Sequence, residues 1–158
     1  MDITDYSAEL YVAGRFADAG WNVYFPHRDE GFDFIVTKDV PNLGEVIRPV
    51  QVKGKYPTPG KKNNPVYGYV GKLSKTHPDM ILAIPYYSLC DPANPVFVAY
   101  NPITAIKPHS KGFRCQPAKY ENETPVKRLG FIQFFDKQGL LQIESPEWGR
   151  VAVNDNGA

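Results

Sequence analysis

GFDFIVT at residues 31–37 and VIRPVQVK at residues 46–53 are the stretches from which the fold can be read. In the first, alternation puts Phe32, Phe34 and Val36 on one face and Asp33 and Ile35 on the other. In the second, Val50 and Val52 share a face, and Gln51 and Lys53 share the opposite one. Both are strands by this pattern, and KDVPNLGE at 38–45 predicts a hairpin with a longish loop between them. Pro49 lies inside the later strand and has no N–H to give to a ladder. It predicts a bulge just before Gln51, or a strand that starts later.

Upstream, residues 5–19 have the pattern of a helix, with Asp2, Thr4 and Asp5 as caps or first-turn acids and Gly20 as the stop. Tyr6, Leu10, Ala13 and Ala17 fall at helical spacing and predict the apolar face. Glu9 projects along that face, where a carboxylate must be paired, neutralised or bound to a cation. Gly14, a costly helix residue, predicts close packing against a sheet. Residues 21–25 form a short strand ended by Pro26, and the loop HRDEG leads to Asp33.

Downstream, 54–65 is a basic loop with three prolines, and 66–76 is a short strand or turn. Residues 80–87 and 96–100 are apolar runs of the buried-strand kind, and 101–130 show little periodicity. A late strand is expected at 130–135, pairing with 140–143 across DKQG. No repeat or linker divides the chain, so 1–152 is expected to be one domain, with 153–158 a frayed tail.

With 158 residues, the chain can bury a sizeable core as one domain. Fifteen prolines and thirteen glycines favour short strands and loops over a helical bundle. No apolar run is long enough to span a bilayer. The acidic start MDITDYSAEL lacks the apolar core of a signal peptide, so a cytoplasmic protein without a membrane partner is expected. Cys90 and Cys115 have no metal-type spacing and are expected as free thiols. Charge is unevenly spread. Residues 1–45 hold nine acids against three bases, whereas 46–78 hold seven bases and no acid. Such a block attracts a polyanion even at a net charge of +1, although lysines of a solvated loop give the same pattern.

Hydrolysis of a phosphodiester requires a divalent cation held by oxygen ligands, an activated water and compensation of charge at phosphorus. Asp33 offers a carboxylate, Gln51 an amide oxygen and Val52 a backbone carbonyl, while Glu9 reaches in from the helix. Lys53, on the strand face of Gln51, can orient the water or offset the charge; the plainer alternative is an Asp33–Lys53 ion pair across the hairpin. Lys55, Lys61, Lys62, Lys72 and Lys75 are candidate phosphate contacts, with Tyr67 and its neighbours Tyr56 and Tyr69 as stacking partners for bases. Asp29 and Glu30 are expected as loop acids. His27, His77 and His109 lack ligand spacing, His27 being the exception to watch because its loop precedes Asp33.

The run from SAELYVAGRFADAGWNVYFPHRDEGFDFIV (7–36) to VIRPVQVKGK (46–55) resembles the PD-(D/E)xK phosphodiesterase superfamily, which includes restriction endonucleases and Holliday-junction resolvases. Glu9 matches its helix acid, Asp33 its strand aspartate, and Gln51-Val52-Lys53 its final motif. The resemblance implies a three-layer α/β/α restriction-endonuclease-like core around a mixed sheet, a Mg²⁺ or Mn²⁺ cofactor, a DNA substrate and a possible homodimer. It implies a metal-dependent DNA endonuclease or resolvase-like enzyme. Three positions depart from the pattern: Gln51 replaces the commoner Glu, Phe32 precedes Asp33 where Pro is usual, and Pro49 interrupts the strand. The missing acid leaves open a non-catalytic nucleic-acid-binding module on the same fold. The Tyr- and Pro-rich second half leaves open an interaction or immunity-type protein.

Overall fold

Apolar residues at every second position build the central hairpin, on which the rest of the chain packs. The structure, a computed structural model, describes residues 3–28, 31–60, 63–64 and 68–155. Strands β1 (Asn22–Tyr24), β2 (Phe34–Val40) and β3 (Gly44–Val52) form an antiparallel meander. After the short strands β4 (Asn63–Asn64) and β5 (Tyr69–Gly71) come β6 (Ile81–Tyr86) and β7 (Phe97–Asn101). The five-stranded sheet has the order β1-β2-β3-β6-β7, with β3 and β6 parallel and the other neighbours antiparallel. The protein is therefore mixed α/β, with a mixed sheet and few helices. β6 and β7 are buried at every position, as strands covered on both faces must be.

The hairpin is tighter than its sequence suggests. The strands run through Lys38, Asp39 and Glu45, which were expected in the loop, and only 41–43 turn. Pro41 fixes one turn dihedral, Asn42 takes φ 70°, and Leu43 N–H donates to Val40 O at 3.0 Å. Nor does Pro49 produce a bulge: it pairs in register with Ile35. The N–H groups of Lys53 and Lys55 donate towards β6, to Ala83 O and Pro85 O. By alternation the nitrogen of Pro49 faces that side as well. Pairing with β6 begins only at Val50, so no bond is demanded of it.

Helix α1 (Ile3–Asp18) ends where expected, with Gly20 at φ 91° and Trp21 N–H donating back to Phe16 O at 3.0 Å. Its buried stripe, however, is Ala8, Glu9, Val12, Ala13 and Phe16; Tyr6, Leu10 and Ala17 are exposed. The pattern is displaced because Phe16, the largest apolar residue of the helix, lodges between the rings of Phe34 and Tyr100 and sets the rotation. Gly14 does not serve close packing, since a Cβ there would meet nothing within 4 Å.

The second half contains more order than its sequence periodicity shows. β8 (Lys107–His109) and β9 (Gly112–Arg114) join β5; β10 (Ala118–Glu121) and β11 (Thr124–Lys127) join β4. The strands expected at 130–135 and 140–143 are instead a 3₁₀ turn, Leu129–Phe134, and helix α2 (Asp136–Gln142). Phe131 and Phe134, and likewise Leu140 and Ile143, are buried pairs three residues apart, a helical rather than a strand spacing. Arg48 of β3 ties this region to the sheet, donating to Ile143 O at 3.3 Å and Ser145 O at 3.0 Å. Tyr86 meets Tyr120 of β10, and Lys127 of β11 sits over Phe97, so these strands cover the opposite side of β6 and β7. Asp155, expected in the frayed tail, is held by Arg128 at 3.0 Å, while 156–158 lie outside the described residues. Cys90 and Cys115 are free thiols. Among the described residues no helix is long and apolar enough to cross a membrane.

Candidate functional site

The residue pair Phe34–Val50 is the last regular step between β2 and β3, and β3 runs on to Val52. The chain just before β2 therefore lies opposite the final residues of β3. Asp33 N–H donates to Val50 O at 2.9 Å, and its side chain fills the place of the missing ladder. Asp33 Oδ2 accepts the Val52 N–H at 2.6 Å and Gln51 Nε2 at 3.0 Å. Bonds to an ionised acceptor are the stronger kind, so this carboxylate is a fixed part of the sheet end. N–H and C=O of one strand residue point to the same side. The Val52 carbonyl accordingly lies on the strand edge that faces Asp33.

Glu9 is 7% exposed on the packed face of α1. With Asp33 it lines a cleft of about 210 Å³, whose other walls include Tyr6, Phe25, His27, Arg28 and Phe32. Two of the four expected catalytic residues thus share one cavity, and Gln51 joins them through Asp33. Lys53 lies one residue past β3, half-buried, with its N–H bonded to Ala83 O at 2.9 Å. The ion pairs among the described residues do not include one between Lys53 and Asp33. The structural ion pair across the hairpin is therefore absent from them.

The basic segment divides. Lys55 is built into the fold: its backbone bonds Pro85 and Tyr87, and its amine donates to the Tyr69 carbonyl. Burial lowers its pKa, an effect that Cys115 opposes and Lys53 adds to. That commitment argues against Lys55 as a phosphate contact. Lys72 and Lys75 are exposed, while Lys61, Lys62 and Tyr67, like Asp29 and Glu30, lie outside the described residues. Tyr56 stacks on Tyr87 with ring centroids 4.6 Å apart, and Tyr69 packs edge-on to His109. His77 accepts the Asp79 N–H at 3.0 Å, a local turn bond.

The sequence pattern singles out Lys75 as a candidate phosphate contact but not Arg28. Both line a larger cleft of about 480 Å³ with Pro26, His27, Phe32, Phe34 and Ile35, which shares four of these residues with the Asp33–Glu9 cleft. Gly31 makes the arrangement possible. At φ 105°, with the place of a Cβ only 2.8 Å from Lys75 Cβ, it lets the segment carrying Lys75 press against the chain just ahead of β2. The available signal was the position of HRDEG immediately ahead of Asp33.

Among the described residues no cluster of three or more His, Cys, Asp or Glu side chains forms a metal-type group. Among the described residues the site's carboxylates are those of Glu9 and Asp33, with the Gln51 amide beside them. Protein-family models, curated proteins and solved structures offer no match to this chain.

Proposed function

We propose that this chain is a metal-dependent DNA endonuclease or resolvase-like phosphodiesterase of the PD-(D/E)xK kind. The observation that carries this reading is the convergence of Asp33, Gln51 and Val52 at two neighbouring strand ends, beside a cleft that Glu9 also lines. The donor set fits a hard divalent cation: two carboxylates, one amide oxygen and one backbone carbonyl, all oxygen. Mg²⁺ or Mn²⁺ held there would polarise the phosphate and lower the pKa of a bound water. Lys53 would offset charge as the phosphorus crowds. Gln51 now turns Nε2 to Asp33, and a half-turn of its amide exchanges donor for acceptor. On this reading α1 on the mixed sheet corresponds to one outer layer of the α/β/α core, with β10 and β11 over β6 and β7 in the place of the second. A homodimer would bring two such centres to the two strands of a duplex.

The same contact favours a second reading, a non-catalytic nucleic-acid-binding module. Gln51 and Val52 already satisfy one Asp33 oxygen without a cation. The two readings separate when plasmid, branched and single-stranded DNA are incubated with Mg²⁺ or Mn²⁺. Cleavage of at least one substrate is expected, falling roughly a hundredfold or more in Asp33→Ala and in Lys53→Ala. Failure to cut any of them, or equal cutting by both variants, sinks the nuclease; salt-sensitive DNA binding without cleavage or metal uptake favours the module.

A further inference from the structure

The larger cleft beside Asp33 has a chemistry of its own. Four of its lining residues are apolar (Pro26, Phe32, Phe34 and Ile35) and three are cationic or titratable (His27, Arg28 and Lys75). Its volume of about 480 Å³ is within the range of small-molecule sites. It adjoins the smaller cleft that Glu9 and Asp33 line, with Pro26, His27, Arg28 and Phe32 common to both walls. His27, Arg28 and Lys75 are all exposed, and Arg28 and Lys75 are outside the ion pairs made among the described residues. A base stacked in duplex DNA has no free face to lay on apolar side chains, whereas an unpaired base has one, and its phosphate can meet the cationic side chains beside them.

From this we infer that the cleft seats one unpaired nucleotide, its base on Phe32 and Ile35 and its phosphate on Arg28 and Lys75. This rests on the proposed nuclease reading and narrows its substrate class to DNA carrying a single-stranded or extruded residue next to the bond that is cut. A continuous duplex would then be a poor ligand for the same surface.

The test is fluorescence anisotropy of labelled oligonucleotides in the presence of chelator: a single strand, a blunt duplex, and the same duplex with a one-base bulge. The expected result is that bulged and single-stranded DNA bind roughly tenfold or more tightly than blunt duplex, the scale of one base–aromatic stack. Phe32→Ala should narrow that difference. Ile35→Ser, at a residue 41% exposed, should do the same if Phe32→Ala fails to fold. Arg28→Ala with Lys75→Ala should weaken all binding and flatten its salt dependence. Equal affinity for the three oligonucleotides, no affinity for any, or a preference untouched by Phe32→Ala and Ile35→Ser overturns the inference. Because no metal is present, the result is separable from catalysis. Equal affinity with metal-dependent cleavage removes the cleft proposal alone, whereas the bulge preference without cleavage removes the nuclease alone.

Discussion

Asp33 is the residue on which both the end of the sheet and the proposed cation site depend. Its Oδ2 completes a backbone bond at 2.6 Å that would otherwise be lost at the end of β3. Asp33→Ala should therefore cost about 1–3 kcal/mol in urea unfolding, as expected when a half-buried N–H loses its acceptor. A surface-like value within about 0.5 kcal/mol of zero would show that the contact is dispensable. Gln51→Glu makes the complementary case. It puts a second carboxylate where the amide now donates at 3.0 Å, so like charges face each other. The variant should melt lower than the parent in chelator and recover with Mn²⁺; a melting point indifferent to both would contradict a shared cation site. This pairing of Asp33 with Gln51 could be anticipated from strand phase, because parity assigned both to one region of the sheet. Arg28 could not, because its role depends on how a loop folds back, and no periodicity reports that.

Among the elements, α1 and β3 show how far patterns go. The end of α1 could be anticipated from Gly20, but its start at Ile3, two residues before the expected one, and its rotation could not. Tyr6 and Leu10 looked apolar enough to be buried, yet the ring contacts of Phe16 decided which stripe faces the sheet. Glu9 is buried because it lies within the observed stripe, between Phe16 and Ala13 around the helix. Gly14, with open space around it, is a free choice of the helix. Gly14→Ala should raise stability by about 1 kcal/mol and the melting temperature by roughly 2–4 °C. A loss on that substitution would mean that the helix packs more closely at Gly14 than its surroundings indicate. In β3, Pro49 argued for a bulge that the strand does not need, since the β6 partner begins one residue later. Whether a neighbour exists at one position is a tertiary fact, beyond the reach of local propensity. The segment 130–143 failed differently: aromatic residues with high strand propensity occupy helical spacing, and packing chose the spacing.

For the molecule as a whole, the core holds several groups that cannot ionise in place. Burial pushes the Cys115 thiol and the Tyr86, Tyr100 and Tyr120 phenols above their ordinary values. The native state then keeps protons that the unfolded chain releases above about pH 9–10. Unfolded protein binds fewer protons there, so stability is full below that range and falls as pH rises through it. Urea midpoints compared at about pH 8 and about pH 10.5 should show the decline, and a flat profile would mean that these groups are hydrated. The strands β1, β2 and β3, the hairpin of β2 with β3, and the buried β6 and β7 were legible because alternation and apolar runs are local signals. The parallel pairing of β3 with β6 and the small sheets of the second half were not, being long-range contacts without periodicity of their own.

The central claim is that Glu9, Asp33 and Gln51 converge on one divalent cation at the end of the central sheet. Calorimetric titration of Mn²⁺ into the parent protein and Asp33→Ala addresses it without requiring a substrate. The account predicts saturable binding of one ion per chain in the parent and its loss in Asp33→Ala, with Glu9→Gln weakened. No binding by the parent, or the same isotherm for Asp33→Ala, would contradict it.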